Sequence, residues 1–207
     1  MSRYTGSVCK QCRTEREKLF LKGDKCSTNC TLERKRGKNA PGQHGARKNK
    51  MSDYAKHLRE KQKARKVFGL TEQQFKRYFA VADKMTGLTG DTLLKLLELR
   101  LDNVVFRIGL AASRKMARQM VMHGNVVVNG KKIDVPRYEV KVGDIISVNA
   151  KYKENTVLKK LMENPVAAPS WLSLSKDSIE GKVVSEPLKE EFSHPINGQL
   201  IVEFYSK

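Results

Sequence analysis

Four cysteines, Cys9, Cys12, Cys26 and Cys30, are spaced C-x2-C-x13-C-x3-C near the start of the chain. Each short pair can turn two thiolates toward one ion at about 2.3 Å, and the intervening loop brings the pairs together without a large core. The pattern therefore points to one structural zinc with these four residues as ligands. Lys10, Arg13, Lys22 and Lys25 stand nearby and favour the thiolate forms that metal binding requires. Four protein thiolates would close the coordination sphere to water, which argues against a catalytic metal. An iron–sulfur cluster, structural disulfides and unligated thiols are the readings that the spacing leaves open.

A second set of residues carries charge suited to a polyanion. Arg114 and Arg118 are i, i+4 in a stretch with helical periodicity, which sets two guanidinium groups one turn apart, near the spacing of successive phosphates. Both are expected at the surface, where they grip a backbone together, with Arg107, Gln119, His123, Lys131 and Lys132 extending the face. A solvated basic helix face is the plainer reading. Upstream, residues 34–48 hold Arg34, Lys35, Arg36, Lys38, Arg47 and Lys48 with almost no apolar side chain. That stretch is expected to lack structure of its own until phosphates neutralise it. His44 and His57 stand without an Asp/Ser or Cys/His arrangement that would make either a general base, and are read as polyanion contacts or simply exposed. No Walker loop, G-x-G-x-x-G or H-E-x-x-H pattern occurs, and no catalytic residue is assigned.

The composition agrees. In 207 residues, 41 Lys plus Arg stand against 22 Asp plus Glu, a formal net charge of +19 that suits a polyanionic partner better than the substrates of an ordinary metabolic enzyme. Residues 1–66 carry 20 Lys/Arg and 6 Asp/Glu, whereas residues 67–207 carry 21 and 16, so a basic arm precedes a more ordinary globular body. The longest apolar runs, such as residues 93–97, are broken by charge within a few positions, and no membrane-spanning helix is expected. Residues 1–5 do not open an apolar signal segment, so the chain is expected in a reducing compartment with its thiols reduced.

The elements that must position these groups are legible in part. Ser52 reads as an N-cap, and Tyr54, Leu58, Ala64 and Phe68 lie near one face of a basic helix ending at Gly69. Thr71 and Gln74 have capping-box spacing, with Phe75, Phe79 and Ala82 following at helical period. Asp91 is expected to cap a third helix with a Leu93, Leu96, Leu97, Leu101 stripe, and Ser113 a fourth running toward His123 and Gly124. Leu101, Val105, Met116, Met120 and Val121 are assigned to core. Beyond Gly124, residues 126–128, an Asn129-Gly130 turn and residues 131–135 predict a hairpin closed by Pro136, with further strand over 140–148. Residues 164–198 are rich in Pro, Ser and Gly, with Trp171, Val183 and Val184 as isolated anchors, and residues 200–205 read as a last strand.

The stretch from Arg100 to Gly109, continuing through residues 113–119 and 123–130, resembles the RNA-binding module named after small-subunit ribosomal protein S-four. That module also occurs in pseudouridine synthases, tyrosyl-tRNA synthetases and heat-shock RNA-binding proteins. The cysteine arm, the Pro41-Gly42-Gln43-His44-Gly45 motif, the basic helix around Tyr54 and the 201–205 tail extend the resemblance over essentially the whole chain, to the bacterial S-four family in its zinc-binding four-cysteine type. The resemblance implies a non-enzymatic, primary binder of 16S ribosomal RNA in the cytoplasmic ribosome. Such a protein grips a helix junction in the 5′ domain and starts assembly of the small-subunit body. It also implies proteins S-five and S-three and mRNA as neighbours, an influence on decoding accuracy, in some bacteria repression of its own mRNA, and no small-molecule substrate. RNA of this kind is recognised by shape through phosphate and 2′-hydroxyl contacts. Gln43, His44, Tyr54, Arg59, Arg65, Arg100, Ser113 and Asn129 join the residues named above in the candidate RNA-binding set.

The expected architecture is α+β in three parts. Residues 1–45 form a zinc-bound basic arm. Residues 46–92 form a mostly helical domain, completed by the tail 185–207. Residues 93–184 form the RNA-binding module, helices plus a β-hairpin and small antiparallel sheet, with a strand-rich extension. Two other classes compete. An RNA-modifying enzyme carrying the same module needs a further catalytic domain, for which the roughly 47 residues after position 160 are expected to leave no room. A zinc-containing DNA-binding regulator would satisfy the cysteine arm alone, and salt-resistant preference for folded ribosomal RNA over duplex DNA separates it from a ribosomal protein.

Overall fold

The computed structural model describes residues 4–34, 37–47, 50–163, 167–175 and 179–206; Lys35, Arg36 and Lys48 of the candidate set lie outside the described residues. In chain order the helices are α1 (Val8–Glu15), α2 (Asp24–Thr28), α3 (Asp53–Val67), α4 (Glu72–Ala82), α5 (Thr89–Glu98), α6 (Leu101–Ile108), α7 (Arg114–Met122), α8 (Ala150–Lys153), α9 (Thr156–Glu163) and α10 (Gly198–Tyr205). The strands are β1 (Val126–Val128), β2 (Lys131–Lys132), β3 (Ile145–Val148), β4 (Leu172–Ser175) and β5 (Glu180–Val183). The chain divides into two compact units, Met1–Leu93 with His194–Lys207, and Leu94–Ser193.

In the first unit, α3 starts where Ser52 Oγ accepts the Ala55 amide, and α4 starts at a capping box closed by Thr71 and Gln74, as the sequence predicts. Residues 200–205 are the last turns of a helix, not a strand. Asn197 Oδ1 accepts the Gln199 amide and Glu60 accepts that of Asn197 at 2.8 Å, so the N-terminus of α10 is satisfied. Ile201 is fully buried, and Phe204 and Tyr205 meet the rings of Tyr54, Phe75 and Phe79. Only two residues of the run are β-branched, and a helix is the form that turns positions i, i+3 and i+4 to one side. Gly90 and Gly198 let α5 and α10 touch backbone to backbone: a Cβ on Gly90 would lie 2.7 Å from the Gly198 carbonyl carbon.

Where the sequence predicts no structure of its own, the described part of the arm, residues 37–47, is held in place. Val8, Cys12, Leu19, Leu21 and Cys26 are buried. The Glu15 carboxylate, only 4% exposed, faces Lys66 and, at 3.5 Å, Arg59 of α3, while Glu17 pairs with Lys63 at 2.8 Å. Arg13 donates to the carbonyls of Asn39 and Ala40, and Arg16 to that of Arg47. Guanidinium donors from α1 therefore replace the apolar side chains that the loop lacks, and residues 37–47 run in turns. Gly45 is required there, since a Cβ would fall 1.8 Å from the Ala40 carbonyl oxygen.

Asp91 is not the cap of α5, which opens two residues earlier at Thr89. The helix ends at Glu98, so Leu101 belongs to α6 instead of extending the leucine stripe. The break falls at Arg100, whose extended backbone bridges Glu139. In the second unit Ser113 Oγ accepts the Met116 amide and caps α7, whose C-cap is His123. Five antiparallel strands form one sheet in the order β2-β1-β3-β5-β4, with Val127 opposite Lys132, Val126 opposite Val148, Ile146 opposite Gly181 and Leu172 opposite Val183. The β1–β2 turn uses Asn129 and Gly130, both at positive φ, which is the conformation Asn-Gly favours. Trp171 and Val183 are not isolated anchors, because they flank or end the β4–β5 hairpin and are fully buried. That hairpin is hard to read because β4 (Leu-Ser-Leu-Ser) holds no β-branched residue and β5 (Glu-Gly-Lys-Val) holds only one, with a glycine inside it. Its Gly181 is close to α6: a Cβ would meet Ile108 Cδ1 at 2.5 Å. Leu101, Val105, Met120 and Val121 lie in the core, with Met116 packed against it.

Candidate nucleic-acid interface

The most basic-looking part of the second unit is largely internal. Arg100 is 3% exposed and grips Asp102 with both arms of its guanidinium, at 3.0 and 2.6 Å. Arg118 faces the same carboxylate at 3.9 Å. Arg114 donates from Nε to Asn103 Oδ1 at 2.8 Å and lies over the Phe106 ring at 4.6 Å. Asn103 donates in turn to the carbonyl and carboxylate of Glu98, and the same carboxylate accepts from the amide and hydroxyl of Ser193. Arg107 donates to the Glu191 carbonyl at 2.6 Å.

The expectation that Arg114 and Arg118 both stand at the surface is thus overturned. A guanidinium presents several donors in a fixed fork, and here the module spends them on joining α6 to α7. Burial pushes Arg114 down to about 10, with Glu98 and Asp102 opposing the shift and Arg107 adding to it, so it stays protonated at neutral pH. Two buried carboxylates, Glu98 and Asp102, face arginines of this network: Glu98 faces Arg107, and Asp102 faces Arg100 and Arg118.

The other predicted residues sort by what holds them. Ser113 is a helix cap. Asn129 is a turn residue whose side chain donates to Asp144 and accepts from Ile145. Arg34 donates to Asn29, Arg59 faces Glu15 and Arg65 faces Glu72. The α3 helix is therefore less of a cationic face than its sequence implies, since Lys61, Lys63 and Lys66 are paired as well. Burial alone would raise the Glu72 carboxyl, but the hydrogen bond and charge of Lys61, with help from Tyr205 and Arg65, hold it below the usual range. Tyr54 is exposed and rests on Phe204. His57 faces Glu203 at 3.0 Å. Lys38, Gln43, His44 and Arg47 are exposed on the arm, and Gln119, His123, Lys131 and Lys132 on α7 and the hairpin.

Asn125, Tyr152 and Asn155 were missed by sequence reasoning. They line a cleft of about 260 Å³ with Met116, Gln119, Met120 and His123. The α7 wall was readable as i, i+3, i+4, i+7 spacing, but the opposite wall comes from α8 and the turn after it, which no local signal links to α7.

None of the four cysteines is in a disulfide. Burial pushes the Cys12 thiol up against a backbone hydrogen bond from Leu19, and the charges of Cys26, Cys9 and Cys30 add to the rise. As a donor set they suit a soft divalent ion. Among the described residues, no group of three or more His, Cys, Asp or Glu is arranged to hold a metal ion. Among the described residues, no helix is long and apolar enough to cross a membrane.

A helix pair packed on a hairpin-edged antiparallel sheet, with exposed Gln119, His123, Lys131 and Lys132 around it, has the form of a nucleic-acid-binding module. Comparison with known proteins agrees: residues 3–98 match the ribosomal protein S4/S9 N-terminal domain, and residues 99–146 match the S4 domain. The chain is 69% identical to small ribosomal subunit protein uS4 of Endomicrobium trichonymphae, 53% to that of Clostridium botulinum (strain Eklund 17B / Type B) and 52% to that of Thermoanaerobacter sp. (strain X514), in each case over the full length of both chains. The chain belongs to the uS4 family of small-ribosomal-subunit proteins, which is structural and non-enzymatic.

Proposed function

We propose that this chain is a structural component of the small ribosomal subunit in the cytoplasmic ribosome and a primary binder of 16S ribosomal RNA, gripping a helix junction in the 5′ domain and nucleating assembly of the subunit body. The observation that carries this is the likeness, over the full length of both chains, to proteins named small ribosomal subunit protein uS4. The chemistry is compatible with it. A chain of net charge +19 draws RNA from a distance, and phosphate contacts fix register while releasing counterions. The contacts assigned to RNA are the exposed Lys38, Gln43, His44, Arg47, Tyr54, Gln119, His123, Lys131 and Lys132. The internal Arg100, Arg107, Arg114 and Arg118 are positioning residues: Arg114 and Arg118 tie α7 to α6 through Asn103 and Asp102, Arg100 grips Asp102, and Arg107 holds the Glu191 carbonyl. Proteins S-five and S-three and the incoming mRNA are the proposed neighbours, with an influence on decoding accuracy.

The arm is proposed to be of the zinc type, with Cys9, Cys12, Cys26 and Cys30 as ligands of one structural ion. Bound there, zinc would cross-link the two short cysteine pairs. The four free thiols and their C-x2-C-x13-C-x3-C spacing support this. Sequencing RNA crosslinked to the native protein tests the main reading: reads concentrated in one junction of the 16S 5′ domain are expected, and reads spread over all cellular RNA in proportion to abundance would overturn it.

A further inference from the structure

We infer that the cleft between α7 and α8 is a receptor for one unstacked nucleobase, a site distinct in chemistry from the phosphate contacts around it. The inference rests on the RNA-binding reading above and adds a ligand to one face of it. On one wall Met116, Gln119, Met120 and His123 project at i, i+3, i+4 and i+7 from α7. Asn125 closes one end, and Tyr152 and Asn155 form the other wall.

None of these seven residues is an acid, a lysine or an arginine, in a chain of net charge +19. A phosphate site would be expected to show the opposite. What the cleft offers is a thioether floor, a phenol ring for stacking, and three carboxamides and an imidazole at its edges. That is the combination by which splayed-out bases are stacked and read along their polar edges. Asn155 Oδ1 is already committed to the Val157 amide, which leaves its NH2 to donate. Burial pushes the Tyr152 phenol up, so it also stays a donor. At about 260 Å³ the space is below the roughly 300–1,000 Å³ typical of sites for drug-sized ligands, and suits a single heterocycle rather than a dinucleotide. Lys132 lies against Gly124 and does not line the cleft.

The test uses the full chain. Side-chain amide signals of Gln119, Asn125 and Asn155 are followed by NMR while each of the four ribonucleoside 5′-monophosphates, or ribose 5-phosphate, is added to millimolar concentration. At least one base-bearing probe is expected to shift these signals, and ribose 5-phosphate is expected to leave them in place. Against a transcript of the 16S 5′ domain, Tyr152→Ala and the solvent-exposed Gln119→Ala should each bind about 5- to 10-fold more weakly with the slope of log affinity against log salt unchanged, because no cation is removed. Equal shifts from ribose 5-phosphate, or wild-type RNA affinity in both variants, would overturn the cleft while leaving RNA binding intact. Failure of the wild-type chain to prefer the transcript would instead overturn the reading beneath it. Gln119→Ala keeps the test valid if Tyr152→Ala fails to fold.

Discussion

Replacing Asn103 with leucine removes the joint of the internal network while keeping the number and branching of side-chain heavy atoms, so no cavity is left. Asn103 is 2% exposed and makes three hydrogen bonds, to the Glu98 carbonyl at 2.9 Å, to the Glu98 carboxylate at 2.6 Å and from Arg114 Nε at 2.8 Å. Two of them reach charged, buried groups, for which a lost hydrogen bond costs about 1.5–3 kcal/mol, and stripping a partner from a buried charge costs about 3–5 kcal/mol. Asn103→Leu should therefore lose about 3–5 kcal/mol. In a unit of this size that lowers Tm by about 12 °C or more. The assay is urea and thermal unfolding of the full chain followed by fluorescence of Trp171, the one tryptophan, which is fully buried in the second unit and so reports on it. A loss below about 1 kcal/mol would refute the reasoning, since it would mean that water already satisfies Glu98 and Arg114.

Gly90→Ala, which helix propensity alone would make stabilising by about 1 kcal/mol, should instead destabilise by about 1–3 kcal/mol because the new methyl meets Gly198 backbone; a raised denaturation midpoint would contradict that packing. The Glu72 carboxyl is held below its ordinary value of 4.5 in the fold, so the stability it contributes is present above pH 4.5 and lost as pH falls through the lower folded value. Glu72→Gln should flatten that acid limb, and an unchanged pH profile would show that Lys61 and Tyr205 do not act on it. Freshly purified, reduced protein should carry about one zinc, lost on Cys12→Ser with loosening of the arm and retention of structure beyond residue 50; metal analysis finding no zinc would count against the site.

Legibility followed how local each determinant is. The Ser52, Thr71 and Ser113 caps and the Asn129-Gly130 turn depend on residues three or fewer positions apart, and all were readable. The apolar run of α10 fits either period, so its sequence predicts a strand, and the rings of Tyr54, Phe75 and Phe79, distant in sequence, select the helix. Arg114 and Arg118 were placed on the surface by a charge pattern that cannot reveal Asn103 and Asp102 waiting beneath them. Sequence counts arginines but does not say whether carboxylates or solvent receive them.

The central claim is that this is a ribosomal-RNA binder whose exposed cations meet phosphate. The affinity of the full chain for a 16S 5′-domain transcript, against duplex DNA of equal length and across rising salt, tests it most directly. The account predicts a preference for the transcript that survives 200 mM salt on the order of physiological strength, and a slope made shallower by about 1.4–1.8 when Lys131 and Lys132 are both changed to alanine. Equal affinity for the two nucleic acids, with a slope that the double variant leaves unchanged, would contradict it.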